Sequence, residues 1–155
     1  MILDPYIHLL NQPLSFWAAT CDAENVPDVV HVNGLSPVES GNQITLFLSK
    51  RYSETFVANL ELNPELALIG TNVQTFEGYQ FKGHFRSLRP CTPEEEQMQL
   101  NFIDRFTTVI ELMGFNRQWY YDSYFHQPSL AITFTVHDIF EQTPKKGTGL
   151  SMVNK

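Results

Sequence analysis

LFLSKRYSETFVANLELNP, residues 46–64, carries the reading of the fold. Leu46 to Leu48 is an apolar strand that ends in Ser49-Lys50-Arg51. The chain then turns through Tyr52-Ser53 and enters a short amphipathic helix that closes at Asn63-Pro64, because the residue before a proline is pushed out of helical backbone. Two cations and the hydroxyls of Ser49, Ser53 and Thr55 converge on the start of that helix. A helix N-terminus already carries unsatisfied N–H groups and a partial positive charge, so such a cluster is a natural phosphate cradle. The same residues also make an ordinary strand-to-helix turn with Lys50 and Arg51 solvated, and the local sequence leaves both readings open.

Outward from this stretch the pattern is mostly β. On the N-terminal side LSFWAATC (Leu14–Cys21) is apolar on both faces and suits a strand buried on two sides. A turn at Asp22–Asn25 leads to a partner strand opened by Pro27 and running from Asp28 to about Leu35. There Val30 and Val32 share one face, and Val29, His31 and Asn33 the other. A second turn at Glu39–Asn42 precedes a third strand, Ile44–Ser49, and three strands on short loops predict an antiparallel meander. Beyond the helix, Leu66–Gly70 is a strand and Gln74–Gly78 a bend. In the strand Tyr79–Leu88, Gln80, Lys82, His84 and Arg86 form a polar face, either solvated or lining a ligand site, and Gly83 permits close backbone approach.

Thr92-Pro93-Glu94-Glu95 predicts a helix start with an N-cap, a proline at the first position and a capping-box glutamate. Its apolar stripe runs Met98, Phe102, Phe106, Val109, Met113, with Ile103 and Ile110 beside it, to an end near Gly114; such a stripe predicts core or a dimer seam. QWYYDSYFH (Gln118–His126) is dense in aromatics and suits packing over the barrel end or against a second subunit. Leu130–Phe140 is the last strand. A short helix is expected over residues 1–11, and an extended or mobile tail over 142–155.

The chain has 155 residues, 43% of them hydrophobic and 17% charged, which predicts a single globular domain over 1–155. A net charge of −7 argues against nucleic acid as the main partner. No membrane-spanning run or leader pattern is visible, so a cytoplasmic protein is expected. Cys21 and Cys91 match no zinc or CxxC spacing and read as lone thiols. The five histidines are scattered without metal-ligand spacing, so no metal is expected. GxSxG, GxGxxG and the Walker phosphate loop are all absent.

In order and spacing, SFWAATCDAENVPDVVHV, LFLSKRYSETFVANLELNPELALIG, YQFKGHFRSL and AITFTVHDIFEQTP resemble the pyridoxamine 5′-phosphate oxidase-like superfamily of FMN-binding split barrels. The resemblance covers most of the chain. It implies a mainly β fold with accessory helices, an antiparallel six- or seven-stranded split β-barrel. It also implies a homodimer with FMN in a groove between subunits, and hydride transfer through the flavin to a small-molecule substrate. Carried over by position, the phosphate would lie near Ser49, Lys50, Arg51, Ser53 and Thr55. The ring would lie against His31, Val32 and Asn33, with Gln80 and Lys82 approaching, and Trp119–Tyr124 of a partner chain covering it. Two departures stand out. Phe56 occupies a helix position where many family members carry a cation, and the C-terminal Arg-and-His substrate motif of true pyridoxamine phosphate oxidases is missing. A non-catalytic flavin or small-ligand module, or a haem-binding one, is the alternative on the same barrel.

Overall fold

Alternate residues of the first strand, β1 (Ser15–Cys21), face opposite ways: Phe16, Ala18 and Thr20 are buried, while Ser15, Trp17 and Ala19 are half-buried. That period of two sets one side of the sheet as the core and the other as a surface for something to cover. The computed structural model describes residues 2–146 and 148–153. With β1, the strands β2 (Pro27–His31), β3 (Gln43–Ser49), β4 (Glu65–Thr71), β5 (Gly78–Pro90) and β6 (Ser129–Glu141) make one sheet. Its spatial order is β2-β1-β4-β5-β6-β3, and every neighbouring pair is antiparallel. Among the described residues four α-helices accompany it: α1 (Ile7–Leu10), α2 (Glu54–Leu62), α3 (Pro93–Leu112) and α4 (Arg117–Tyr124).

The meander expectation is corrected at its third strand. β3 pairs along its whole length with β6, from Gln43↔Thr135 to Ser49↔Ser129, and not with β2. Only the chain just past β2 returns to it. Asn33 N donates to Phe47 O (2.8 Å), Phe47 N to Gly34 O (3.0 Å) and Ser36 N to Thr45 O (2.9 Å). These few bonds join the two edges of the curled sheet, which is what makes the barrel split rather than continuous. Gly34 turns the chain three residues past β2, with a φ of +126° that lies where side-chain-bearing residues are strained. The ring of Phe102 from α3 also sits 3.0 Å from where a Cβ would stand.

Inside the barrel lie Phe16, Phe81 and Phe134 with Leu46, Leu48, Leu68 and Ile132, all fully buried. α2 adds Phe56 and Leu60 to this core. The Thr20 hydroxyl donates to Phe56 O (3.3 Å) and accepts from Asn59 Nδ2 (3.2 Å), tying α2 to β1. α3 begins with the expected capping box: Thr92 Oγ1 accepts from Glu95 N, and the Glu95 carboxylate accepts from Thr92 N. Its buried face is Gln99, Ile103, Phe106, Thr107 and Ile110, whereas Met98 and Met113 are exposed. The true stripe is therefore rotated from the one that begins at Met98.

In the tail, residues 147, 154 and 155 lie outside the described ones; Ser151 bridges Phe140, Met152 N donates to Ile139 O (2.7 Å), and Met152 packs on the core. No helix among the described residues is long and apolar enough to cross a membrane.

Candidate functional site

Register places His31, Trp17, Ile69 and Gln80 in one row across β2, β1, β4 and β5, on the face away from the barrel core. At a strand spacing of about 4.8 Å, His31 and Gln80 stand roughly 14 Å apart along that row. α3 and α4 lie over its His31 end. α4 starts at Asn116, whose Oδ1 accepts from Trp119 N (3.1 Å), and this start turns Tyr120 and Tyr124, one helical turn apart, towards the sheet.

The result is an aromatic cage around His31. Tyr124 stacks on the imidazole (centroids 4.6 Å, 25°), Trp17 meets it edge-on (5.0 Å, 85°), and Tyr120 OH hydrogen-bonds Nε2 (2.8 Å). Phe106 of α3 packs on Tyr120 in turn (5.2 Å). This covering segment belongs to the same chain, whereas the resemblance assigned it to the partner subunit.

Burial governs the electrostatics. Desolvation pulls the His31 pKa from 6.5 down to about 4, with the Asn33 side chain acting weakly the other way. Desolvation, reinforced by Tyr124 and Tyr121, pushes the Tyr120 phenol well above its usual range. Both partners are neutral at pH 7, so the bond between them orients the ring and moves no proton. His31 Nδ1 and Asn33 Oδ1 are buried without a hydrogen-bond partner, which leaves unspent polar capacity beside the cage.

Two hollows share Trp17, His31 and Tyr124 as walls. The larger, about 510 Å³, is an open apolar groove between the outer face of β1 and β4 and the two helices. Ile69, Phe106, Ile110 and Trp119 line it, and Phe76, Met113 and Phe115 form an exposed rim. The smaller, about 190 Å³, reaches past Leu48 and Ser49 to Tyr52 in the 3-10 turn Lys50–Tyr52. The groove's size is within the range of small-molecule sites, roughly 300–1,000 Å³.

The residues singled out from sequence divide three ways. His31, Asn33 and Ser49 come together: Asn33 Nδ2 donates to Ser49 Oγ (3.0 Å), and Ser49 lines the smaller hollow that His31 walls. The Ser49 hydroxyl is saturated, since it also accepts from His126 N (3.0 Å) and donates to Tyr124 O (3.3 Å). Ser53 is buried with its hydroxyl on Lys50 O (3.3 Å). Lys50, Arg51 and Thr55 are exposed, with the Arg51 guanidinium 5.4 Å from the Tyr52 ring. Val32 points into the core, so only its backbone is on the site side, and its N–H is already given to Phe16 O (3.0 Å). Gln80 lies at the far end of the row, and Lys82 is exposed with its ammonium 4.8 Å from the Phe140 ring. Tyr120 and Tyr124 belong to the covering segment Trp119–Tyr124, where they form an i, i+4 pair inside QWYYDSYFH, whereas Trp17 of β1 is a cage residue that the sequence did not single out.

The groove's apolar walls suit a flat aromatic ring, whereas Lys50 and Arg51 are exposed and line neither hollow. Ser49 and Ser53 do not fit as phosphate donors, and Phe56 faces the core, where no cation could serve the site.

No family model matches the chain, and no curated protein matches it in sequence. Solved structures do match. HupZ of Group A Streptococcus superposes with a TM-score of 0.57 at 14% identity, over 97% of this chain and 99% of that one. A Clostridium acetobutylicum protein of the pyridoxinephosphate oxidase family, related to general stress protein 26, gives 0.55 at 13%, covering 98% and 94%. An FMN-binding protein from Syntrophomonas wolfei gives 0.53 at 12%, covering 94% and 92%. The chain shares their fold, a split β-barrel. Within that split barrel, the His31 cage and the groove beside it are built by this chain's own residues.

Proposed function

We propose that this split-barrel protein binds FMN and acts with it as an oxidoreductase on a small molecule, as a homodimer. The observation that carries the reading is the aromatic-walled groove of about 510 Å³, joined through the His31 cage to the cation-bearing turn at Lys50 and Arg51. When bound, FMN supplies hydride acceptance and donation. The chain's share is placement: Trp17, Ile69 and Trp119 wall the ring and exclude water, and Lys50 and Arg51 hold the phosphate as charge-assisted donors. His31 Nδ1 and Asn33 Oδ1 are the unpartnered polar atoms nearest the cage. The exposed rim of Phe76, Met113, Phe115 and Trp119 supports a second copy closing the groove.

A non-catalytic flavin module is the second reading, favoured by the neutrality of both His31 and Tyr120, which leaves the cage without a group that titrates near pH 7. One series of measurements tests both. Purified protein is mixed with FMN, freed of excess and examined by visible absorbance, then offered NADH or NADPH. Retained flavin bands, weakened at least about tenfold in affinity by Lys50→Ala with Arg51→Ala, are expected. Colourless protein overturns flavin binding, and retained flavin that no donor reduces selects the binding module. Sedimentation at monomer mass overturns the dimer.

A further inference from the structure

We propose that Glu65, His84 and His137 form a binding site for one divalent transition-metal ion, Zn2+ in the first place, on the outer face of β4, β5 and β6. One ligand atom from each lies within 4.8 Å of the other two. His84 Nε2 contacts Glu65 Oε1 directly, and His137 Nε2 lies 3.3 Å from Glu65 Oε2. The two imidazoles stand 4.7 Å apart, both with Nε2 towards the same carboxylate. Ligand atoms about 2.0–2.1 Å from a tetrahedral ion are a little over 3 Å apart, so only a small readjustment of exposed side chains is needed, His84 moving slightly off Glu65.

The backbone builds this convergence. Glu65 and His84 face each other directly across β4 and β5. On β6 the register slips: Lys82 pairs with Asp138 but Gly83 pairs with Val136, so His137 is the extra residue of a β-bulge. The bulge brings the Thr135 carbonyl 2.3 Å from where a Cβ on residue 83 would stand, which is why glycine occupies that position. Bulges re-aim side chains, and this one keeps His137 beside His84 on the outer face. The neighbouring cations are engaged elsewhere: Lys82 lies over Phe140, and Arg86 Nε donates to Thr135 Oγ1 (2.7 Å).

Two imidazoles and one carboxylate suit zinc and its neighbours in the first transition row rather than magnesium or calcium, which take all-oxygen sets. Three protein ligands leave a fourth position for water or a ligand from outside. Glu65 lies four residues before the groove-lining Ile69 on the same face of β4, about 13 Å along the strand. The site is thus separate from the groove, and its presence does not depend on the flavin reading. Sequence spacing could not reveal it, because the ligands come from three strands and meet only through sheet register.

The test uses untagged, chelator-stripped protein titrated with Zn2+ by calorimetry, with Co2+ absorption as a second readout. One ion per chain is expected. His84→Ala, His137→Ala and Glu65→Gln should each weaken binding at least about tenfold. All three side chains are exposed, so unchanged circular dichroism separates lost ligation from lost fold. A His8→Ala/His126→Ala control should bind like the parent. Absence of binding to the parent, or full binding by a His84→Ala/His137→Ala double variant, overturns the proposal.

Discussion

Ser49→Ala separates the two roles that its hydroxyl could play. In the structure that oxygen accepts from Asn33 Nδ2 and His126 N and donates to Tyr124 O, joining the end of β3, the chain after β2 and the end of α4. Asn33 is fully buried and its Oδ1 already lacks a partner, so the substitution strands the whole amide. A buried polar group left unpaired costs about 1–3 kcal/mol, and the His126 amide adds a smaller cost because it is only partly buried. The expected loss is about 2–3 kcal/mol, a fall in Tm of roughly 4–12 °C for a chain of this length. With a urea m-value near 2 kcal/mol/M, the midpoint should drop by about 1–1.5 M at unchanged slope.

The assay is urea unfolding followed through Trp17 and Trp119, which flank the joined segments. An Asn33→Ala background sharpens it: with the amide gone, Ser49→Ala should cost at least about 1 kcal/mol less than it does alone. A midpoint within about 0.25 M of the parent would refute the structural role. If FMN affinity fell at the same time, the hydroxyl would instead be a phosphate ligand, as the local sequence allowed.

Three further outcomes follow from the same geometry. Gly83→Ala would set a methyl 2.3 Å from Thr135 O and 2.7 Å from the Phe134 ring, and should cost at least about 3 kcal/mol in urea unfolding. Thr92→Ala removes the side-chain half of the α3 capping box and should cost about 1 kcal/mol by the same assay. The folded pKa of His31 lies below its unfolded value, so the unfolded chain binds the extra proton between about pH 6.5 and 4. Its contribution is complete above pH 6.5 and is lost as pH falls towards 4, amounting to about 2–3 kcal/mol between pH 7 and 4.5. Comparing that difference between the parent and His31→Gln checks it, and equal pH slopes would contradict it.

What the sequence made legible was local. Apolar runs located β1 and β4, alternating faces located β5 and β6, and the Thr92–Glu95 box located the start of α3, because each signal is complete within a few residues. Strand pairing was not legible in the same way. β3 follows β2 in sequence but pairs with β6, because Gly34 leaves the strand conformation and the sheet curls until its edges meet. The helical stripe of α3 was misread by a fraction of a turn, since Met98 and Met113 are as apolar as Ile103 and Ile110 and only packing decides which are covered.

The candidate site shows the same division more sharply. Sequence identifies a hydroxyl, an imidazole or an amide, but function depends on what each has left to give once its neighbours are satisfied. Ser49, Ser53 and Thr55 looked equivalent at the helix start. Folding occupies the first with three bonds, turns the second inward onto Lys50 O and leaves the third exposed. The histidines sort in the same way. His31 is enclosed in an aromatic cage and held neutral, whereas His84 and His137 are exposed and both turn Nε2 towards the Glu65 carboxylate. A chain with no two histidines at ligand spacing can therefore still build a three-ligand site, provided that one strand carries a bulge and the strand beside it a glycine to admit that bulge.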